Sequence, residues 1–222
     1  NKMDNMPHQL FSTLFANLWW VVLIFIGIGL LQFFKPYLKG KFGELAVSSH
    51  VKRYLKEDYI LLNNCTLPDD RGGTMQIDHI LISPYGIFVI ETKNFKGWIF
   101  GGERQKNWTQ QLYKKRYTFQ NPLHQNYKHE KVLRTVLEDL VDIEHIHSVI
   151  VFMPDCEFKT QMPANVFKGA SWVDYVKSFD TEVINRMRMQ RIRRRIEKEV
   201  LEKSWKTDRI HIENLKKRKE IS

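Results

Sequence analysis

The chain has 222 residues, with 35 Lys+Arg against 25 Asp+Glu, a formal net charge of +10. A hydrophobic content of 43% with 13% aromatics is enough for a core and excludes general disorder, and the length suits one domain of about 150 residues plus appendages. Cys65 and Cys156 are the only cysteines, so neither a disulfide framework nor a CxxC zinc ribbon can be built, and the composition fits a reducing compartment.

Residues 1–9 form a short N-terminal flank. Residues 10–34, LFSTLFANLWWVVLIFIGIGLLQFF, carry no charge and are long enough to cross a hydrocarbon core about 30 Å thick, which predicts one transmembrane helix. Trp19 and Trp20 have the amphipathic rings of a membrane interface, so the span fits best from Leu18 to Phe34. The alternative, a buried core helix, is disfavoured by so long a run without charge. Lys35, Lys39, Lys41, Lys52 and Arg53 come after the run, and the positive-inside bias then places the protein in the inner (cytoplasmic) membrane, single-pass, with its C-terminal part in the cytoplasm. Pro36 and Gly40 are expected to part this anchor from the rest of the chain.

Residues 43–56 place Leu45, Val47, Val51, Tyr54 and Leu55 at helical spacing. Three β-rich runs come next, YILLNNC (59–65), MQIDHILI (75–82) and IFVIETK (87–93), the last two flanking the turn signal Ser83-Pro84-Tyr85-Gly86. Residues 97–108 read as a bent hairpin with Gly101-Gly102 at its tip, continued by QLYKKRYTF. Asn121-Pro122, cap and first position, opens a helix to about Leu140. HSVIVFM (147–153) is a buried strand, and 173–179 and 182–203 are helical. The order predicts an α/β domain, a mixed sheet flanked by helices, over residues 40–160, with 161–222 as a helical basic extension.

Alternation along the third strand puts Glu91 and Lys93 on one face with Ile87 and Val89. A turn centred on Pro84-Tyr85 sets Asp78 opposite Glu91, and two carboxylates that close repel. A simple ion-pair cluster at a sheet edge is one explanation. A hard divalent cation is the other: Mg²⁺ or Mn²⁺ held by Asp78 and Glu91 offsets the repulsion, binds a phosphate and acidifies a bound water. Lys93 would then orient that water or stabilise charge on the phosphate.

KFGELAV, IDHILISPYGIFVIETKNFKG, the Gly101-to-Trp108 spacing and NPLHQNYKH together resemble the NERD (nuclease-related) domain, which is assigned to the PD-(D/E)xK nuclease superfamily with its restriction-endonuclease-like fold. The resemblance runs over about residues 40–140. It implies that Asp78 is a metal-binding aspartate, Glu91 the second acidic ligand and Lys93 the catalytic lysine. Glu44 corresponds to an early glutamate that assists metal or water placement, although a carboxylate near a helix start is also favoured by the dipole. Gln125 and His129, one turn apart on the next helix, match the family's Q-x3-H pattern and imply contact with the metal site or the substrate phosphate; buried side chains satisfied by backbone is the other reading. Lys128 lies elsewhere around that helix, on a face expected to be solvated and to be available to nucleic acid. Asp78 is preceded by Ile77 where the superfamily's name has proline, and no zinc-finger, kinase or helicase module accompanies the domain.

Residues 185–222 hold 14 Lys+Arg and 6 Asp+Glu, leaving 21 and 19 for residues 1–184. Arg191, Arg193, Arg194 and Arg195 crowd one helix, with Ile184, Met187, Ile192, Ile196 and Val200 grouped into an apolar stripe. A solvated face, an anionic-lipid contact and a phosphate-binding arm compete for this segment, and phosphate binding fits best beside a core whose own charge is near zero. The function expected is a membrane-anchored, Mg²⁺- or Mn²⁺-dependent nuclease acting on DNA, or on RNA. A catalytically silent, membrane-tethered nucleic-acid-binding or scaffolding module is the alternative.

Overall fold

The computed structural model describes residues 6–55, 57–69 and 71–200, with the side chains of 6–18, 31–40 and 42 outside that description. The chain divides into two compact units, residues 1–41 and 42–222. Helix α1 (Met6–Tyr54) begins in the first unit, and its assignment continues across Pro36 and Gly40, which were expected to end it. A proline removes one helical hydrogen bond and a glycine costs about 1 kcal/mol, so each disfavours a helix without forbidding it. Among the described residues no helix is long and apolar enough to cross a membrane. Of the span expected over 10–34, side chains are described for 19–30, and among these Trp19, Trp20, Leu23, Phe25 and Ile26 are exposed.

In the second unit the end of α1 leads into β1 (Ile60–Pro68), β2 (Thr74–Ser83) and β3 (Gly86–Lys93), an antiparallel meander. Then come β4 (Gly97–Phe100), β5 (Asn107–Leu112), β6 (Lys115–Gln120) and α2 (Pro122–Leu137), which returns the chain to β7 (Ile146–Phe152), parallel to β3. The short strands β8 (Cys156–Phe158) and β9 (Val166–Lys168) precede α3 (Trp172–Lys177) and α4 (Arg186–Glu199). These make a mixed five-stranded sheet, β1-β2-β3-β7-β9, and a smaller four-stranded sheet, β6-β5-β4-β8. The architecture is α/β, a mixed sheet flanked by helices, as expected; the separate small sheet was not.

Alternation along β3 divides the core. Ile87 and Val89 pack with Leu133 and Leu137 of α2 and with Met189, Ile192 and Ile196 of α4. Phe88 and Ile90 pack on the other face with Val47 and Val51 of α1 and with Trp172 and Val176 of α3. Leu45, expected inside, is 62% exposed: the helix turns Gly43, Val47 and Val51 inward instead. Met189 rather than Met187 completes the apolar stripe of α4, because Ile192 and Ile196 set a phase that leaves Met187 in solvent. That helix starts at Arg186, where Asn185 Oδ1 accepts the Arg188 N–H at 2.8 Å. Its apolar side joins the same core as α2, so the described part of 161–222 is built into the domain rather than hung from it.

The small sheet is seated by Trp108, fully buried and stacked on Phe152 at 6.0 Å between ring centroids. The Gly101-to-Trp108 spacing has a steric cause: a Cβ on Gly101 would lie 2.1 Å from the Trp108 ring, and the indole N–H donates to the Gly102 carbonyl at 3.0 Å. Gly101→Ala is therefore expected to destabilise the domain by about 1–3 kcal/mol through overpacking, measurable as a lowered urea midpoint. Buried Asn121 closes the same corner. Its Nδ2 donates to the carbonyls of Gly102, Glu103 and Gln105 while its Oδ1 caps α2 at Leu123 N, which fixes the start of α2 against the hairpin tip.

Candidate active site

The β2–β3 hairpin pairs from Ser83↔Gly86 to His79↔Ile90, the register expected from a two-residue turn at Pro84-Tyr85. Beyond that point side chains take over. Both the N–H and the hydroxyl of Thr92 donate to Asp78 Oδ2 at 2.9 Å, so one carboxylate oxygen is oriented by β3 itself. Glu91, on the α2 side of β3, is 2% exposed. Lys93 Nζ donates to Glu91 Oε1 at 2.5 Å and to Gln125 Oε1 at 2.9 Å, tying the end of β3 to the first turn of α2. His129, one turn further along α2, brings Nδ1 to 3.5 Å from Glu91 Oε2. Neither of those two atoms has a hydrogen-bond partner among the described residues, although both are buried.

Burial is the main force on these groups. It pushes the Glu91 carboxyl up to about 7, helped by the charge of Asp78 and opposed by Lys93 and Gln125. It lowers His129 to about 4 against the pull of Asp78, so this imidazole is neutral at ordinary pH. Glu91, buried beside a second carboxylate, has the Lys93 ammonium on Oε1 but no partner on Oε2 among the described residues. A divalent cation held by Asp78 and Glu91 would give that oxygen a partner, and these two are the carboxylates that could hold one, with water and phosphate completing its shell. Among the described residues no group of three or more His, Cys, Asp or Glu is arranged to hold an ion.

Glu44 approaches from the other face. Its helix comes close to β3 at Gly43, where a Cβ would lie 3.5 Å from Asn94 Cβ and 3.8 Å from Thr92 Oγ1. Glu44 Oε2 accepts from Asn64 Nδ2 at 2.8 Å, and Asn64 Oδ1 accepts from Gln76 Nε2 at 2.9 Å. The pairs Asn63↔His79 and Cys65↔Ile77 put Asn64 opposite Asp78, in a left-handed conformation at φ 54°. A residue so placed inside a strand stores strain, which clusters at functional sites. Asn64 and Thr92 were not found from the sequence; the Asn63-Asn64 doublet inside a β-rich run was the available signal. Asn126 was missed too. It is fully buried, and its Nδ2 reaches Val89 O at 2.9 Å and Ser148 Oγ at 2.7 Å, clamping α2 to β3 and β7.

The basic candidates lie apart from this cluster or are already engaged. Lys128 is exposed on the outer side of α2. Arg195 makes a two-pronged pair with Asp139 at 2.9 and 3.0 Å and also donates to Val136 O, which locks α4 to α2. Arg193 pairs with Glu197 at 2.8 Å, whereas Arg191 and Arg194 are exposed.

A helix-flanked mixed sheet that gathers an aspartate, a Glu-x-Lys strand end and a glutamine from the following helix defines a nuclease-like domain class. The nuclease-related domain (NERD) model matches residues 39–153, so the chain belongs to that family, whose context is the PD-(D/E)xK superfamily. An uncharacterized protein of Bacillus anthracis is 42% identical over 124 residues, 56% of this chain and 57% of its own length. The chain thus spans little more than half of that relative. No solved structure matches it.

Proposed function

We propose that the protein is a membrane-anchored nuclease that hydrolyses DNA phosphodiester bonds with Mg²⁺ or Mn²⁺. The observation that carries this reading is the buried, unsatisfied Glu91 Oε2 beside Asp78, with Lys93 and Gln125 closing the same cluster in a nuclease-related fold. Asp78 and Glu91 would hold the cation, which when bound supplies Lewis-acid polarisation of a phosphate and an acidified water. Thr92 keeps the Asp78 carboxylate oriented. Lys93, anchored at once by Glu91 and Gln125, presents its ammonium where charge develops on the phosphate. Gln125 fixes that ammonium, Glu44 is held at the rim by Asn64, and neutral His129 offers its imidazole beside Glu91. Lys128, Arg191, Arg193, Arg194 and Arg195 supply the basic surroundings for a polyanion.

The membrane anchor is supported by the uncharged run 10–34 and by the exposure of its described apolar side chains. Lys35, Lys39 and Lys41 after it favour a cytoplasmic domain. A reporter fused after Ser222 is expected to be active only in the cytoplasm; activity outside would overturn that orientation. The activity is tested by incubating the purified protein with plasmid, linear and single-stranded DNA and with RNA, in Mg²⁺, Mn²⁺ or EDTA. Cleavage in either metal and none in EDTA is expected. No cleavage of any substrate would leave the silent nucleic-acid-binding module as the reading.

A further inference from the structure

Resting on the nucleic-acid reading above, we infer that the β5–β6 hairpin is a single-strand-binding finger, with Tyr113 at its tip as the base-stacking platform. Residues 96–120 hold six Lys or Arg against one Glu, half of the chain's net +10 in one small sheet and its loops. Since residues 1–184 together carry only +2, the rest of that stretch is net acidic. Apart from α4, whose residues 186–199 hold seven Lys or Arg against two Glu, the positive charge of the folded domain is gathered in this sheet and its loops, with Lys114, Lys115 and Arg116 on the hairpin itself. Its two-residue turn, Tyr113-Lys114, is closed by the Leu112↔Lys115 pair. Tyr113 takes φ 54° there, a conformation that glycine or asparagine adopts more readily, and its ring is 91% exposed. A large aromatic side chain held in solvent on a strained backbone gains nothing for the fold.

Tyr117, four residues on, is half exposed and stands opposite Gln110. Gln110 Nε2 donates to Lys96 O at 2.7 Å, three residues after Lys93, so the hairpin leads back to the end of β3 where the candidate catalytic cluster lies. Trp98 on the same sheet is less suited, because Lys159 Nζ already covers its ring at 4.6 Å. Aromatic faces interleaved with the exposed Lys114 and Lys115 match the chemistry of unstacked bases on a phosphate chain. Duplex bases present no free face, so the partner is a single strand.

The test is binding of labelled oligo-dT, oligo-U and a duplex by the full chain in detergent with EDTA, so that affinity is read without cleavage. Tyr113→Gly suits the turn better than tyrosine and is expected to leave the thermal midpoint unchanged or raised while weakening oligo-dT binding roughly tenfold. Tyr113→Trp should retain affinity. Replacing Lys114 and Lys115 together by Gln should reduce the log–log salt slope by about 1.4 for single strands. Equal loss for oligo-dT and oligo-U would make the platform indifferent to the sugar; loss for one alone would name its source. Unchanged affinity in Tyr113→Gly, or equal loss on duplex, overturns the finger even if cleavage is found. Tyr113-dependent binding without cleavage in any metal would sink the nuclease reading and leave the finger standing.

Discussion

Lys93→Ala and Asp78→Ala are each expected to lower metal-dependent cleavage roughly a thousandfold or more, the rate equivalent of about 4 kcal/mol. Lys93 is the only described group that bonds both Glu91 and Gln125, so its loss removes the ammonium and frees the first turn of α2 from the end of β3. The fold has no such dependence on it. Without Lys93, buried Glu91 takes up a proton more readily, and a neutral carboxyl is tolerated among apolar neighbours. Asp78→Ala removes two hydrogen bonds from Thr92 and also a charge that repels Glu91, opposite effects on stability. Both variants should therefore unfold cooperatively close to the wild-type midpoint while their cleavage is lost. Cleavage retained in Lys93→Ala would remove it from the chemistry, and unfolding in parallel with activity would make the cluster structural.

How much the sequence discloses depends on the range of the interactions involved. The β2–β3 register was legible because Pro84-Tyr85 is a local turn and alternation is a local rule, so Glu91, Lys93 and the inward side of α2 could be placed from spacing alone. Where pairing ends, the rule ends: the Thr92 N–H goes to the Asp78 side chain, a choice that no periodicity encodes. The β-rich character of 97–119 was visible, but QLYKKRYTF was read as one continuation where the chain turns at Tyr113-Lys114, and membership of a second sheet depends on β4 pairing with the distant β8. Asn64, Asn121 and Asn126 look like loop residues in a sequence. Each is held by partners far along the chain, half-buried Asn64 by Gln76 and Glu44, buried Asn121 by the Gly102–Gln105 carbonyls, and buried Asn126 by Ser148. In α4 so many arginines flank the apolar residues that Met187 and Met189 are equivalent by composition, and only packing on α2 decides between them.

The burial of Glu91 and His129 gives the second large effect, opposite pH dependences in EDTA. Glu91 sits near 7 in the folded protein against 4.5 when unfolded, so the folded state holds its proton more tightly. Its contribution is fully present below pH 4.5 and is lost as pH rises through 7, a change of about 3 kcal/mol. His129 runs the other way: near 4 folded against 6.5 unfolded, it contributes above pH 6.5 and loses that as pH falls through 4, again by about 3 kcal/mol. In the wild type the two largely cancel between pH 4 and 7. Glu91→Gln should therefore gain stability relative to wild type as pH rises from 4 to 8, whereas His129→Gln should gain it as pH falls, each measured by urea unfolding across that range. A cation that binds Glu91 should restore to the wild type at pH 8 part of what the carboxylate costs, and should do nothing for Glu91→Gln. Parallel curves for all three proteins would show that burial does not govern these groups, and with that the unsatisfied oxygen would cease to argue for a metal.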